Sequence, residues 1–209
     1  MTVENQGAAL HSVTASLPDT REKLQFDLPA NARKHFEVYV QPEYSYGSSN
    51  VVLEYDKGKK TTAFLKMECI SPEDMMVAAW SKSAALATLF SASNETNTTV
   101  VPVTVPRDGL PENAIGYRAL NILLIGADVD TRTLNEAQVT AIQEWVRNGG
   151  DLIVVGGGNW TYALGLADTL PFTPQGTYQA QEITSPDGSV MAGDFTLVKG
   201  APRPNAHLL

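Results

Sequence analysis

The first third of the chain alternates between apolar and polar residues with a period of two. Apolar side chains recur at every second position over Leu24–Leu28 and Phe36–Val40, and further apolar stretches follow at Val51–Tyr55 and Ala63–Met67. Segments rich in Gly, Pro, Asn and Ser separate these stretches, as turns require. The pattern predicts short antiparallel strands of a β-sandwich-like region over residues 21–71, preceded by a loose lead-in over residues 1–20.

The alternating pattern of apolar and polar residues ends at Ser71-Pro72. Met75–Trp80 is a short apolar stretch that we interpret as a strand, although Pro72 followed by two acidic residues would also suit the start of a helix. Ser83–Phe90 has helical composition, and Thr99–Val105 alternates like a strand. These features predict a second domain of the α/β class over residues 72–209.

The clearest unit of the sequence lies in the middle of this second domain. Leu120–Ile125 is a buried strand by composition, and Asp151–Val155 is the next one. Between them, Thr133 and Glu136 have the spacing of a capping box, and the apolar stripe that follows predicts a helix over Leu134–Arg147 that ends at Asn148-Gly149-Gly150. Strand, helix and strand with short connections predict a βαβ unit and therefore a parallel sheet.

The second of these strands runs into three glycines, an asparagine and a tryptophan, Gly156–Trp160. The spacing fits neither a dinucleotide fingerprint nor a phosphate-binding P-loop. The place suits a nucleophile elbow, but Gly157, Gly158 and Asn159 offer no Ser or Cys to attack a substrate. Two readings remain: a tight structural turn, or a small-ligand site built on exposed backbone amides.

Two carboxylates follow the preceding strand, Asp128 and Asp130. Ligands of open α/β sheets bind at the carboxyl ends of the strands, where such a pair could hold a cation or act as acid and base. The alternative is that both merely shape a loop. The candidate ligand-binding residues are therefore Asp128, Asp130, Gly157, Gly158 and Asn159. No catalytic residue, metal or cofactor is predicted.

Composition narrows the classes of partner. Lys and Arg number 15 against 23 Asp and Glu, a net charge of −8, which argues against nucleic acid and anionic membranes as partners of this segment. The single cysteine, Cys69, is expected to be a buried inert thiol. No apolar stretch is long enough to span a membrane. A protein partner or a small ligand remains open, as does a homo-oligomer.

Gly116–Trp160 resembles the class I glutamine amidotransferase-like domain of uncharacterised bacterial envelope proteins. The shared pattern is a strand, an acidic loop, a helix ending W-V-x-x-G-G, then a strand and glycines. Phe36–Pro42 and Val51–Met67 resemble the β-sandwich that precedes this domain, Leu170-Pro171-Phe172 resembles the segment that follows it, and Lys199–Leu209 resembles the run into a late strand.

The resemblance implies a three-layer, flavodoxin-like α/β domain beside an Ig-like sandwich, and a chain cut from a longer protein. It also implies a parent tethered in the cell envelope, with these domains outside the cytoplasm. Catalytic amidotransferases carry a Cys at the elbow and a later His-Glu pair; neither is present here. The sequence therefore favours a non-catalytic binding or interaction module. The alternative is a hydrolase or lyase acting on a small polar or sugar substrate with Asp128, Asp130 and Asn159.

Overall fold

A computed structural model describes residues 2–16, 23–36, 39, 48–56, 58–66, 70–83, 99–185, 187–204 and 206. The chain divides into two compact units, Met1–Ser71 and Pro72–Leu209. The first unit consists of β-structure in its described residues, and the second combines a parallel sheet, a helix and a long hairpin.

The first unit holds two antiparallel sheets. One has four strands in the order β3-β2-β5-β6, and the other has two, β1 and β4. The strands are β1 (Thr2–Glu4), β2 (His11–Ser16), β3 (Lys23–Leu28), β4 (Arg33–His35), β5 (Ser48–Tyr55) and β6 (Lys59–Lys66). Alternate residues of the larger sheet form a small core of Val13, Ala15, Phe26, Leu28, Val51 and Leu53.

The prediction of a loose lead-in over residues 1–20 is wrong. This segment contains β1 and β2, and β2 lies inside the larger sheet, paired with β3 on one side and β5 on the other. Only Val13 and Ala15 of β2 are buried in the core, so the alternation of apolar and polar residues is too short to predict a strand. Of the strand predicted over Phe36–Val40, residues 37, 38 and 40 lie outside the described residues; β4 ends at His35, and Phe36 and Tyr39 are not in a strand.

The second unit contains a parallel sheet of four strands in the order β10-β9-β7-β8. These strands are β7 (Met75–Trp80), β8 (Val100–Thr104), β9 (Ile122–Ile125) and β10 (Asp151–Val154). The strand predictions at 75–80 and 99–105 and the βαβ unit with its parallel pair are confirmed. The helix predicted at Ser83–Phe90 falls outside the described residues after Ser83.

Helix α1 (Glu136–Arg147) connects β9 to β10 and covers one face of the sheet. Ala141, Ile142 and Trp145 are its buried residues, and they pack with alternate residues of the strands around Tyr117. Ala137, which the periodicity placed on the same face, is exposed. The helix ends as predicted, because Asn148 is the C-cap and Gly149 has a φ of 99°, a value suited to glycine.

The predicted capping box was two residues out of place. Thr131–Thr133 form a 3-10 turn, and the Thr133 hydroxyl donates to the carbonyl of Asp130. The true cap is Asn135, whose side chain accepts from the Gln138 amide at 2.9 Å while the Gln138 side chain accepts from the Asn135 amide at 3.2 Å. The sequence offers two overlapping capping patterns, and the turn decides between them because it leaves Leu134 extended.

A long hairpin, which the sequence pattern did not predict, follows the glycine turn. Two 3-10 turns within Trp160–Thr169, separated by a kink at Leu166, lead into β11 (Phe172–Thr184), which pairs antiparallel with β12 (Val190–Pro202). Each strand has 13 residues, and their register shifts at two places. Across the described part of the chain, no helix combines the length and apolar character needed to cross a membrane.

Candidate functional site

The strand order locates the point where a ligand crevice is expected in the parallel sheet. From β7 the chain adds β8 on one side, and it then returns to add β9 and β10 on the other. The connections that leave β7 and enter β9 therefore run in opposite directions, so the carboxyl ends of these two strands lie at the topological switch point. In open α/β sheets this is where ligands bind.

A side-chain latch joins the two strand ends there. Ser81 follows β7, and its hydroxyl donates to the carboxylate of Asp128, which follows β9, with Oγ to Oδ1 and Oδ2 distances of 2.9 and 3.0 Å. The backbone amide of Lys82 donates to Asp128 Oδ2 at 2.8 Å. The half-buried carboxylate thus accepts a hydroxyl and an amide from the neighbouring strand end.

Gly126 makes the latch sterically feasible. Its amide donates to the carbonyl of Trp80 at 3.0 Å, which continues the pairing of β7 and β9 up to the latch. A Cβ at this position would lie 2.5 Å from Asp128 Oδ1 and 2.9 Å from Ser81 Oγ. The absence of a side chain here therefore lets the hydroxyl and the carboxylate meet.

Asp130 has a different role from Asp128. It caps the 3-10 turn through the Arg132 amide, and its carboxylate takes the Arg132 guanidinium at 2.8 Å from Nε and 2.7 Å from Nη2. Hydrogen bonding from the Arg132 side chain lowers the pKa of Asp130, and the same bond raises the pKa of Arg132. The guanidinium also lies over the ring of Tyr162, 5.6 Å from its centroid.

A cavity of about 330 Å³ opens beside the latch, which is within the size range of small-molecule sites. Four of its lining residues are apolar, and the other five are three with hydroxyls, Lys82 and the paired Asp130. The lining residues come from the ends of three strands: Trp80, Ser81 and Lys82 after β7, Thr104, Val105 and Pro106 at β8, and Val129, Asp130 and Thr133 after β9.

The glycine turn after β10 serves close packing. A Cβ on Gly156 would lie 2.6 Å from Cγ2 of Val198 in β12, and Gly157 has a φ of 109°. The Gly157 carbonyl accepts from the amide of Trp160 at 3.1 Å, which closes the turn. Gly158 has open space where a side chain would be. The run thus lets β12 approach the end of β10.

The five sequence-predicted residues occupy three neighbouring positions at the strand ends. Asp130 lines the cavity, and Asp128 forms the latch beside it. The turn of Gly157, Gly158 and Asn159 follows β10, which is the strand on the other side of β9. The exposed Asn159 side chain reaches back to donate to the carbonyl of Ala127 at 3.3 Å. Among the residues that the structure describes, no group of three or more His, Cys, Asp or Glu side chains is placed to hold a metal ion.

Sequence reasoning missed Ser81 and Lys82. Both directly follow an apolar stretch that was interpreted as a strand, which is the position where site residues are expected in a parallel sheet. Their partner, Asp128, is 47 residues from Ser81, so the pair appears only once the sheet order is known. Cys69 lies outside the described residues, so the expectation of a buried thiol is not tested there.

No protein-family model matches this chain, and comparisons with curated proteins and with solved structures find no match either.

Proposed function

We propose that this chain is a non-catalytic binding module that takes a small ligand or a partner segment at the carboxyl ends of its parallel strands. The observation that carries the proposal is the cavity at the switch point, which β7, β8 and the segment after β9 line together. The polar residues of its lining suit orientation of a ligand, and its apolar residues suit burial of one.

The hydrogen bonds that the two carboxylates already accept within the chain support binding rather than catalysis. Asp128 accepts hydrogen bonds from Ser81 and Lys82, and the carboxylate of Asp130 accepts hydrogen bonds from the guanidinium of Arg132. A general base needs a carboxylate oxygen within hydrogen-bond reach of a substrate proton. The turn after β10, at the place where an elbow would hold a nucleophile, offers only glycine and Asn159.

We further propose that the second unit has the three-layer, flavodoxin-like architecture of amidotransferase-like domains. Numbered from β7, its strand order is 2-1-3-4, the order with which the flavodoxin-like sheet begins. The helix α1 covers one face, while Val77 and Ala79, which alternate with the residues beneath the helix, are 0% and 1% exposed. Burial on both faces is typical of a parallel sheet between two helical layers.

The cellular setting that we propose rests on the sequence resemblance: an envelope protein whose two units lie outside the cytoplasm, the first being the Ig-like sandwich. Cell fractionation of the native protein tests this proposal. Recovery with the membrane, accessible to protease from outside, is expected. Recovery in the soluble cytoplasmic fraction would contradict it.

Thermal unfolding of the chain against glutamine, sugars, nucleotides, Mg²⁺ and Ca²⁺ tests the binding proposal. A ligand at about 100 times its Kd adds about 2.7 kcal/mol, and each kcal/mol raises Tm by about 2–4 °C in a chain of this size. We expect Thr104→Trp, which places an indole in the cavity from the end of β8, to abolish the rise in Tm that a ligand causes. Thr62→Trp, at an exposed position of β6 in the other unit, is the matched control and should leave that rise unchanged.

A hydrolase or lyase on the same crevice is the second candidate, and the Ser81–Asp128 pair favours it. A hydroxyl that donates to a carboxylate is oriented for proton transfer, although here the pair also holds two strands together. Turnover of a small polar or sugar substrate that is lost in both Ser81→Ala and Asp128→Asn, while Tm remains within a few degrees, would favour the enzyme. Ligand binding without turnover would favour the binding module.

A further inference from the structure

The hairpin of β11 and β12 is a long two-stranded ribbon. With 13 residues in each strand it measures about 43 Å in length. A two-stranded hairpin is at best marginally stable in water on its own, and it gains stability when a face of it is covered. Tyr178, Val190 and Met191 on this ribbon are 50%, 60% and 50% exposed.

The two faces of the ribbon have different surroundings. On one face, Val198 contacts the turn at Gly156, and the Thr196 backbone approaches Gly157, so this inner face lies towards the end of β10. The cross-strand pairs that alternate with these residues point the other way. We call their side chains the outer face: Lys199 opposite Gly176, Leu197 opposite Tyr178, Phe195 opposite Ala180, and Ala192 opposite Glu182.

The register shifts leave Glu182 on the outer face, although the second shift falls within that face. The first shift falls between Pro174 and Gly176, before the face begins. At the second shift, Glu182 still follows Ala180 by two residues on β11, while β12 carries the extra residue. Glu182 therefore remains on the side of Ala180 and Tyr178.

Charge and apolarity are ordered along the outer face. Lys199 lies at the end near the sheet, Glu182 lies about 20 Å further along the ribbon, and both are exposed. Tyr178, Leu197 and Phe195 form the apolar centre between them. A twofold axis through this centre would set Lys199 of one copy opposite Glu182 of the other, twice, and would set Tyr178 and Leu197 against Phe195.

We infer that the outer face of the ribbon binds the same face of a second copy of this chain, with the two ribbons antiparallel. A surface that is complementary to itself under a twofold axis is what an isologous dimer requires. The two strands of the ribbon carry three charged side chains, Glu182, Asp194 and Lys199, and the turn between them carries Asp187. The net charge of the ribbon is therefore −2 out of the −8 of the chain, so most of the charge that makes like copies repel lies elsewhere.

The size of the face sets the expected strength. The outer face, about 20 Å long from Lys199 to Glu182 and about 10 Å wide, offers about 200 Å² per copy, or about 400 Å² in a dimer, which is well below the standard interface. The dimer is therefore weak and depends on concentration. Sedimentation equilibrium of the chain from about 5 to about 500 µM is expected to show a reversible monomer–dimer equilibrium.

Charge reversal tests the arrangement. Lys199→Glu and Glu182→Lys each place like charges opposite one another, and each should raise the dimer Kd about tenfold or more. The double variant restores the pairs with their signs exchanged, and its Kd should return to within about threefold of the original. Lys23→Glu on β3 changes the net charge by the same amount away from the ribbon and should leave the Kd within about twofold.

Each outcome decides the inference. The inference is supported if either single charge reversal weakens the dimer and the double variant restores its Kd. A chain that is monomeric over the whole range overturns it. So does a dimer that Lys199→Glu leaves unchanged, or a double variant that stays as weak as the single ones, because the contact would then involve another surface.

Discussion

At the scale of single residues, Gly126 determines whether the latch between β7 and β9 can form. An alanine there would bring its Cβ to 2.5 Å from Asp128 Oδ1, so the carboxylate would have to move away from Ser81. We expect Gly126→Ala to destabilise the chain by about 1–3 kcal/mol, measured by denaturant unfolding. Gly158→Ala is the matched control, because its Cβ would meet open space, and it should change the stability by less than about 0.5 kcal/mol. Equal effects of the two substitutions would contradict this role for Gly126.

The second prediction at this scale concerns pH and Asp130. Because the hydrogen bond from Arg132 holds the pKa of Asp130 below its unfolded value of about 3.9, the pair stabilises the fold above that pH. The stabilisation is lost as the pH falls through the folded pKa. We expect Asp130→Asn to lower Tm at pH 6, and the difference from the parent chain to shrink between about pH 5 and pH 2.

Arg132→Gln provides the reciprocal test of this pair. It removes the guanidinium that accounts for the shift, so an NMR titration should show the pKa of Asp130 returning towards its usual value. A Tm difference for Asp130→Asn that stays constant with pH would show that the carboxylate acts through something other than its charge.

At the scale of elements, the start of α1 offers a direct comparison of two capping patterns. Asn135 makes the reciprocal bonds with Gln138, whereas Thr133 bonds only the preceding turn. Asn135→Ala should therefore cost about 1 kcal/mol and Thr133→Ala distinctly less. Asn135→Asp keeps the cap acceptor but replaces the amide donor to Glu112 by a carboxylate oxygen, so repulsion between the two carboxylates should place its stability between those of the parent chain and Asn135→Ala. A larger loss for Thr133→Ala, measured by denaturant unfolding, would contradict the assigned cap.

The same scale shows what the sequence could predict. The strands at 75–80, 120–125 and 151–155 were recognisable because each is a concentrated apolar run, and the strand at 99–105 because it alternates. The helix between the last two strands of the sheet has a clear amphipathic period. Strand β2 was missed because it contributes only one side chain larger than alanine to the core. The sequence does not predict the ribbon, because its many Gly, Thr and Gln residues leave little alternation between apolar and polar positions. Asp128 was a candidate from its place after a strand, but Ser81 required the strand order.

At the scale of the whole molecule, each of the two compact units has a hydrophobic cluster of its own. One cluster is formed by β2, β3 and β5, and the other by α1, the parallel sheet and the segments around Tyr117 and Leu166. The members of each cluster come from within the unit that it stabilises. Cooperative unfolding follows shared burial, so units with separate cores are expected to unfold as separate cooperative regions.

The last prediction tests this independence with one core truncation in each unit. Ile142 is fully buried at 0% exposure, and Ile142→Ala should cost about 2–5 kcal/mol in the second unit. Leu53→Ala is the counterpart in the first unit, where Leu53 is 8% exposed. Hydrogen exchange resolved by peptide should show Ile142→Ala weakening protection within 72–209 and leaving 1–71 unchanged, with the reverse for Leu53→Ala. If either variant lowers protection equally in both regions, the two cores are energetically coupled and the chain unfolds as one body.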